Sequence, residues 1–284
     1  MRIEFLKMQG LGNDFLVFDA PATADSLDGS KLRALADRRT GIGFDQALML
    51  ESPRDASNRV FYRVFNSDGT EAEQCGNGAR CIAALLYERA PHLGRSFAME
   101  SSGGIVHARI GEDGMVSVDM GVPNFDPRAL PMDPVDPADP AAVEAPMHSL
   151  HVDGADIEIG AVSMGNPHAV LQVSDVKTAP LARFGPSIEN HPRFPKRVNV
   201  GFMQIVDRGH VKLRVFERGV GETLACGTGA GAAVAVGRRR GLLDADVRVD
   251  LPGGAASVSW PGVGERLWLK GPTTMVFTGS IDIT

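Results

Sequence analysis

The segment RVFNSDGTEAEQCGNGA, residues 63–79, returns 151 positions later as RVFERGVGETLACGTGA, residues 214–230. The two copies align without a gap. Both start Arg-Val-Phe, both carry a glutamate (Glu71 and Glu222) ahead of a cysteine (Cys75 and Cys226), and both end Cys-Gly-x-Gly-Ala. Upstream, Gly12-Asn13 matches Gly165-Asn166 at an offset of 153, and the same offset sets Gln46 opposite Asn199. A stray motif does not carry its upstream neighbours with it, so a whole lobe has been duplicated.

Each copy reads as strand, glycine-containing loop, then helix. Residues 60–65 (VFYRVF) and 211–216 (VKLRVF) are rich in β-branched and aromatic side chains and predict strands. After each Cys-Gly-x-Gly turn the pattern becomes helical: ARCIAALLYER places Ile82, Leu85 and Leu86 on one face, and AGAAVAVGRRR is small or apolar up to its basic end. Helices this apolar must be buried. The expected fold is α+β: two pseudo-symmetric lobes, each a mixed sheet curled around one central helix, with the active site in the cleft between them. Residues 123–146, PNFDPRALPMDPVDPADPAAVEAP, are too rich in proline and aspartate for a helix or central strand and predict a loop-rich connection.

Bulk properties remove several function classes. The 284 residues suffice for two lobes; 43% are hydrophobic and 23% charged, as in an ordinary globular protein. A net charge of −6 with interspersed signs leaves no footprint for nucleic acid, and the one basic run, Arg238 to Arg240, suits a helix C-terminus. The N-terminus, MRIEFLKMQG, has no apolar core of signal-peptide length and no segment approaches 18 consecutive apolar residues, so neither a signal peptide nor a membrane span is expected, and the cytoplasm is the expected location. Three cysteines are too few for a disulfide framework, and among 3 Cys and 7 His no C-x-x-C or H-x-x-x-H spacing suggests a metal site. No metal and no cofactor are expected.

Thiol chemistry remains. A cysteine at a helix start lies beside unpaired backbone N–H groups and the positive end of the helix dipole, which favour thiolate. Gly76, Gly78, Gly227 and Gly229 leave those amides open to an anion such as a carboxylate. Two such sites facing one another would set an α-carbon between two sulfurs, one removing a proton and the other returning one to the opposite face. Cys81 stands apart: its partner in the repeat is Ala232, and it reads as a small buried hydrophobe.

FLKMQGLGNDFLVFD, GIGFDQ, NSDGTEAEQCGNGAR, MGNPHAV, RVNVGF and ERGVGETLACGTGA, in this order and with the ending GPTTMVFTGSI, resemble the diaminopimelate epimerase family. The resemblance implies a cofactor-independent isomerase that interconverts LL- and meso-2,6-diaminopimelate on the route to lysine and peptidoglycan precursors. It implies that Cys75 and Cys226 are the proton-transfer pair and that Gly76, Asn77, Gly227 and Thr228 bind the reacting carboxylate. Asn13 and Gln46 are implied to line the same cleft. Asn66, Asn166, Asn199, Glu217 and Arg218 are implied by the resemblance to read the distal amino and carboxylate groups, and His168 and Glu217 to support catalysis. The charges of Glu217 and Arg218 match a zwitterion's ammonium and carboxylate independently of any family. A homodimer is also implied, although Phe277 stands where family members often carry a tyrosine linked to dimer contacts. The expected lobes are 1–122 with about 273–284, and 123–272.

Two other readings stand beside this one. A racemase or epimerase of another amino acid, of proline or hydroxyproline type, shares the duplicated plan and the cysteine pair. A non-catalytic amino-acid-binding protein would keep the carboxylate cradles without exchanging an α-proton.

Overall fold

The protein is described from a computed structural model covering residues 2–20, 27–72, 75–133 and 145–282. The chain divides into two units. The first runs to Asp119 and resumes at Lys270; the second is Met120–Leu269. The first holds β1 (Arg2–Gly10), β2 (Asn13–Asp19), α1 (Gly29–Ala36), β3 (Gln46–Glu51), β4 (Phe61–Asn66), β5 (Glu71–Ala72), α2 (Gly76–Arg89), β6 (Ser96–Ser101), β7 (Gly104–Ile110) and β8 (Val116–Asp119). The second holds β9 (His148–Val152), β10 (Ala155–Ser163), β11 (Pro167–Gln172), α3 (Leu181–Glu189), β12 (Asn199–Asp207), β13 (His210–Glu217), β14 (Gly221–Thr223), α4 (Gly227–Arg239), β15 (Asp246–Leu251) and β16 (Gly254–Ser259). β17 (Trp268–Gly271) crosses the boundary in sequence, and β18 (Thr274–Asp282) pairs antiparallel with β1.

The duplication is written in the strand pairings. In the first unit β1–β2 is antiparallel, β2–β3 parallel, β3–β4 and β4–β5 antiparallel, β4–β6 parallel and β6–β7 antiparallel. In the second, β10–β11, β11–β12, β12–β13, β13–β14, β13–β15 and β15–β16 repeat the same series of senses. The register repeats too. Phe15 faces Gln46 in the first parallel pair and His168 faces Asn199 in the second, which is the 153-residue offset of the sequence.

Parallel neighbours need a crossover, and each unit has two. The central helix supplies one: α2 connects β5 to β6, and α4 connects β14 to β15. α2 packs against β1 and β2 at one end of its sheet and β7 and β8 at the other, so the sheet curls around it. α4 is held in the same way by β10 to β13 and β16. Both are buried along most of their length, as their apolar sequences require.

The second crossover in each unit is a helix beyond the one per lobe expected from the sequence. α1 begins at Asp28, whose Oδ1 accepts the N–H groups of Ser30 and Lys31, both at 2.9 Å. α3 contains Gly185-Pro186, a pair that reads as a helix breaker. Tertiary packing overrides that signal: Leu181 and Ile188 join a core with Phe194, Val200 and Phe202, and a Cβ on Gly185 would lie 2.7 Å from the Phe216 ring. α1 and α3 cover the sheet faces turned away from the central helices. β3 and the first half of β12 are therefore buried on both sides and carry continuous apolar runs.

Of the connection 123–146, Asn124 bridges to Ser163 and Pro127–Ala129 forms a single 3-10 turn started by Asp126. Residues 134–144 lie outside the described residues. Among the described residues no helix is long and apolar enough to cross a membrane.

Candidate active site

Cys75 takes the N-cap position of α2 with an extended backbone, φ −141° and ψ 111°, and its Sγ accepts the Gly78 N–H at 3.4 Å. Cys226 does the same for α4, with φ −112°, ψ 110° and the Gly229 N–H at 3.4 Å. An N-cap acceptor normally comes from Ser, Thr, Asp or Asn. A thiol in that place sits at the end of the helix where N–H groups lack intrahelical partners and the dipole is positive.

The glycines of the two motifs act partly through packing, which corrects the expectation that all four serve ligand approach. A Cβ on Gly78 would lie 3.0 Å from a methyl of Leu48, and one on Gly229 2.9 Å from a methyl of Val215 and 3.3 Å from the sulfur of Cys226. The second glycine of each motif lets the helix start lie against its strand.

In the first unit, Asn13, Cys75 and Asn77 form one hydrogen-bonded group. The Asn13 Oδ1 accepts from Asn77 Nδ2 at 3.2 Å and lies 3.9 Å from the Cys75 sulfur. The other end of the Asn13 amide donates to Asp45 Oδ2 at 3.0 Å. Gln46 and Asn66, opposite one another on β3 and β4, are joined by a 3.0 Å bond from Gln46 Nε2 to Asn66 Oδ1. Cys81 is fully buried on α2, and burial pushes its thiol up to about 12.

In the second unit the chain runs through a histidine. His168 Nε2 lies 3.0 Å from Asn166 Oδ1, Asn166 Nδ2 donates to Thr228 Oγ1 at 3.4 Å, and Thr228 Oγ1 is 3.5 Å from the Cys226 sulfur. His168 is wholly buried; desolvation, helped by the nearby Arg218 charge, lowers it to about 3, so the ring is neutral. With Asn166 offering its oxygen, the tautomer carries its proton on Nε2.

Glu217 and Arg218 are held by their surroundings. Asn199 Oδ1 accepts the Arg218 N–H at 3.0 Å, and the buried Glu189 of α3 accepts the Gly219 N–H at 2.7 Å. Thr223 Oγ1 donates to the Glu217 carboxylate. The Arg218 guanidinium donates to the Lys196 carbonyl at 3.1 Å and makes no ion pair among the described residues, which leaves donors for an incoming carboxylate. Glu189 and Thr223 escaped sequence reasoning, since neither stands in a motif that marks it.

The electrostatics of Cys226 run against the simple helix-start expectation. Burial first, then the negative charge of Glu217, push its thiol well above the usual range; hydrogen bonds from Thr228 and Gly229 recover only part of this. Cys226 is buried and Cys75 half-buried. Among the described residues no group of three or more His, Cys, Asp or Glu is placed to hold a metal ion.

The sequence matches the family model described as "Diaminopimelate epimerase" over residues 5–125 and 160–276. The gap between those spans takes in most of the proline- and aspartate-rich connection. Proteins of the same name from Thioalkalivibrio sulfidiphilus and Laribacter hongkongensis are 54% and 52% identical, each alignment covering 100% of both chains. Among solved structures, a hydroxyproline epimerase from Agrobacterium vitis superposes with a TM-score of 0.69 at 15% identity, covering 99% of this chain and 92% of the other. A PhzF-family phenazine biosynthesis protein from Bacillus anthracis gives 0.68 at 19% identity, covering 100% of both. Similarity at that level speaks for the fold.

Proposed function

We propose, from the fact that this chain belongs to the diaminopimelate epimerase family, that it inverts one α-carbon of 2,6-diaminopimelate and so interconverts the LL and meso forms in lysine and peptidoglycan precursor synthesis. The observation that carries the reading is the repeated N-cap cysteine, set in the same relation to a helix start in each of two duplicated units.

The chemistry uses two bases. One cysteine, as thiolate, takes the α-proton; the electron pair of the broken C–H bond moves into the adjacent carboxylate; the other cysteine, as thiol, gives its proton to the opposite face. The sulfurs end with exchanged protonation states, so either epimer can be the substrate. Charge building on the carboxylate is met by the N–H groups of Gly76, Asn77, Gly227 and Thr228. Loss of one such donor typically costs about 3–4 kcal/mol of transition-state stabilisation. The raised Cys226 thiol suits the donor role, since it retains its proton until a carbanion forms beside it.

Asn13 and Gln46 complete the reacting end in this reading, with His168 and Glu217 supporting the thiols. Asn66, Asn166, Asn199, Glu217 and Arg218 hold the distal amino-acid end. A site that presents both signs selects a substrate with a second ammonium and carboxylate over one with a single centre. The proposal extends to a homodimer, supported by the exposed Met275, Val276 and Phe277 along β18, and to the cytoplasm. Sedimentation of the purified protein tests the first of these.

Assay of LL-diaminopimelate against a panel of L-amino acids, proline and hydroxyproline included, tests the substrate. Inversion of diaminopimelate alone is the expected result; preference for a monocarboxylate overturns it. Cys75→Ala and Cys226→Ala should each abolish inversion, with Cys81→Ala nearly silent.

A further inference from the structure

Arg80 is an arginine in the interior of the first unit, with no exposed surface. Its Nη2 donates to Asn77 Oδ1 at 2.9 Å, while Nε and Nη1 meet no acceptor among the described residues. The slot that holds it is built from absent side chains: a Cβ on Gly10 would lie 3.3 Å from Nη2, and one on Gly271 3.3 Å from Cζ and Nε. Burying a guanidinium with only one of its donors met is unfavourable. Methionine or leucine would fill the same helix position without that cost. The repeat makes the point locally, because the matching position in the second unit is Gly231.

The one hydrogen bond that Arg80 makes among the described residues begins a directed chain. A guanidinium only donates, so Asn77 must turn its oxygen toward Arg80 and its NH2 toward Asn13. Asn13 must then receive on its oxygen and donate from its nitrogen, and its acceptor is the Asp45 carboxylate, which only accepts. Asp45 is itself clamped, receiving the Asp14 N–H at 3.1 Å and the Arg38 guanidinium at 2.7 Å. A cation at one end and an anion at the other fix both amide orientations, which neutral neighbours would leave free to flip. The fixed orientation turns the Asn13 oxygen toward the Cys75 sulfur, 3.9 Å away, as the acceptor for its S–H.

We propose that Arg80 and Asp45 are positioning residues that lock Asn77 and Asn13 in one orientation and so set the proton affinity of the Cys75 thiol. The catalytic role of Cys75 rests on the function proposed above; the lock itself does not. Arg80, Cys81 and Tyr62 each interact electrostatically with Cys75. The two ends of the chain act in opposite senses. Removing Arg80 withdraws a positive charge and destabilises the thiolate. Replacing Asp45 by asparagine withdraws a negative charge from the other end of the chain, which stabilises the thiolate.

The test measures alkylation of Cys75 by iodoacetamide as a function of pH, in the full-length chain with Cys81→Ala and Cys226→Ala so that Cys75 is the sole thiol. Arg80→Met should slow the reaction about three- to tenfold near pH 7.5, the change made by a rise of a half to one unit in thiol pKa. Arg80→Lys, which keeps the charge and a donor, should restore most of the rate. Asp45→Asn should accelerate alkylation. In the three-cysteine enzyme, Arg80→Met and Asp45→Asn should both lower kcat for inversion more than they raise KM. Should Arg80→Met fail to fold, the opposite shifts of Arg80→Gln and Asp45→Asn carry the decision. Alkylation profiles that do not move in folded variants, or that move in the same direction at both ends, overturn the proposal. The alkylation arm needs no substrate, so it decides the lock even if diaminopimelate proves not to be inverted.

Discussion

The amide N–H of Gly229 donates to the sulfur of Cys226 at 3.4 Å, and the Cβ that Gly229 lacks would lie 3.3 Å from that same sulfur. The glycine therefore supplies a bond to the thiol and leaves room for it. Gly229→Ala should displace either the sulfur or Val215, whose methyl would be 2.9 Å from the new carbon. The expected loss is about 1–3 kcal/mol of stability, as for other overpacked sites, with inversion falling by more than stability alone accounts for. Urea melts alongside initial rates measure both. An alanine variant with wild-type rates refutes this account of the site.

Glu217 acts on Cys226 through its charge. In a chain whose sole thiol is Cys226, Glu217→Gln should lower the thiol pKa and speed alkylation at neutral pH. Equal or slower alkylation would contradict a Glu217 charge that raises the thiol.

His168 gives the protein an acid-sensitive stability. Its ring titrates near 6.5 when exposed and near 3 in the fold. Above pH 6.5 both folded and unfolded chains hold it neutral, and it contributes nothing to the pH dependence. Between these values the unfolded chain binds a proton that the folded chain refuses, so stability falls as pH drops, by about 1.4 kcal/mol per unit at most. His168→Gln should flatten the dependence of unfolding free energy between pH 6.5 and 4.5; an unchanged slope means the histidine is protonated in the fold.

Gly160 on β10 lies directly under α4: an added Cβ would stand 2.2 Å from a Val236 methyl. Gly160→Ala should cost about 1–3 kcal/mol. Adding Val236→Ala makes room, so the double variant should be more stable than the sum of the two single losses implies. Strict additivity in chemical denaturation contradicts the contact.

Much of this was open in the sequence because it was written twice. The 151- and 153-residue offsets located both helix starts, and the strand register kept them to the residue: Phe15 on Gln46, His168 on Asn199. What stayed hidden depended on distant chain segments. Arg80 sits in an apolar helix where an arginine usually marks the solvent side, and its slot is made by Gly10 and Gly271, far from it in sequence. α3 was masked by Gly185-Pro186, since the aromatic surface that holds it belongs to β13. The raised Cys226 thiol was missed because the dipole of a helix start is legible in a motif, whereas depth of burial is not.

The two-base claim has a direct test. LL-diaminopimelate is incubated with the enzyme in deuterium oxide, and the α-carbons of early product and recovered substrate are examined by mass spectrometry and NMR. A proton taken by one sulfur and replaced from the other gives meso product carrying one solvent deuterium, while recovered substrate stays unlabelled. Meso product that keeps its original α-proton would mean that one group both takes and returns it, and the paired cysteines would lose the role assigned to them.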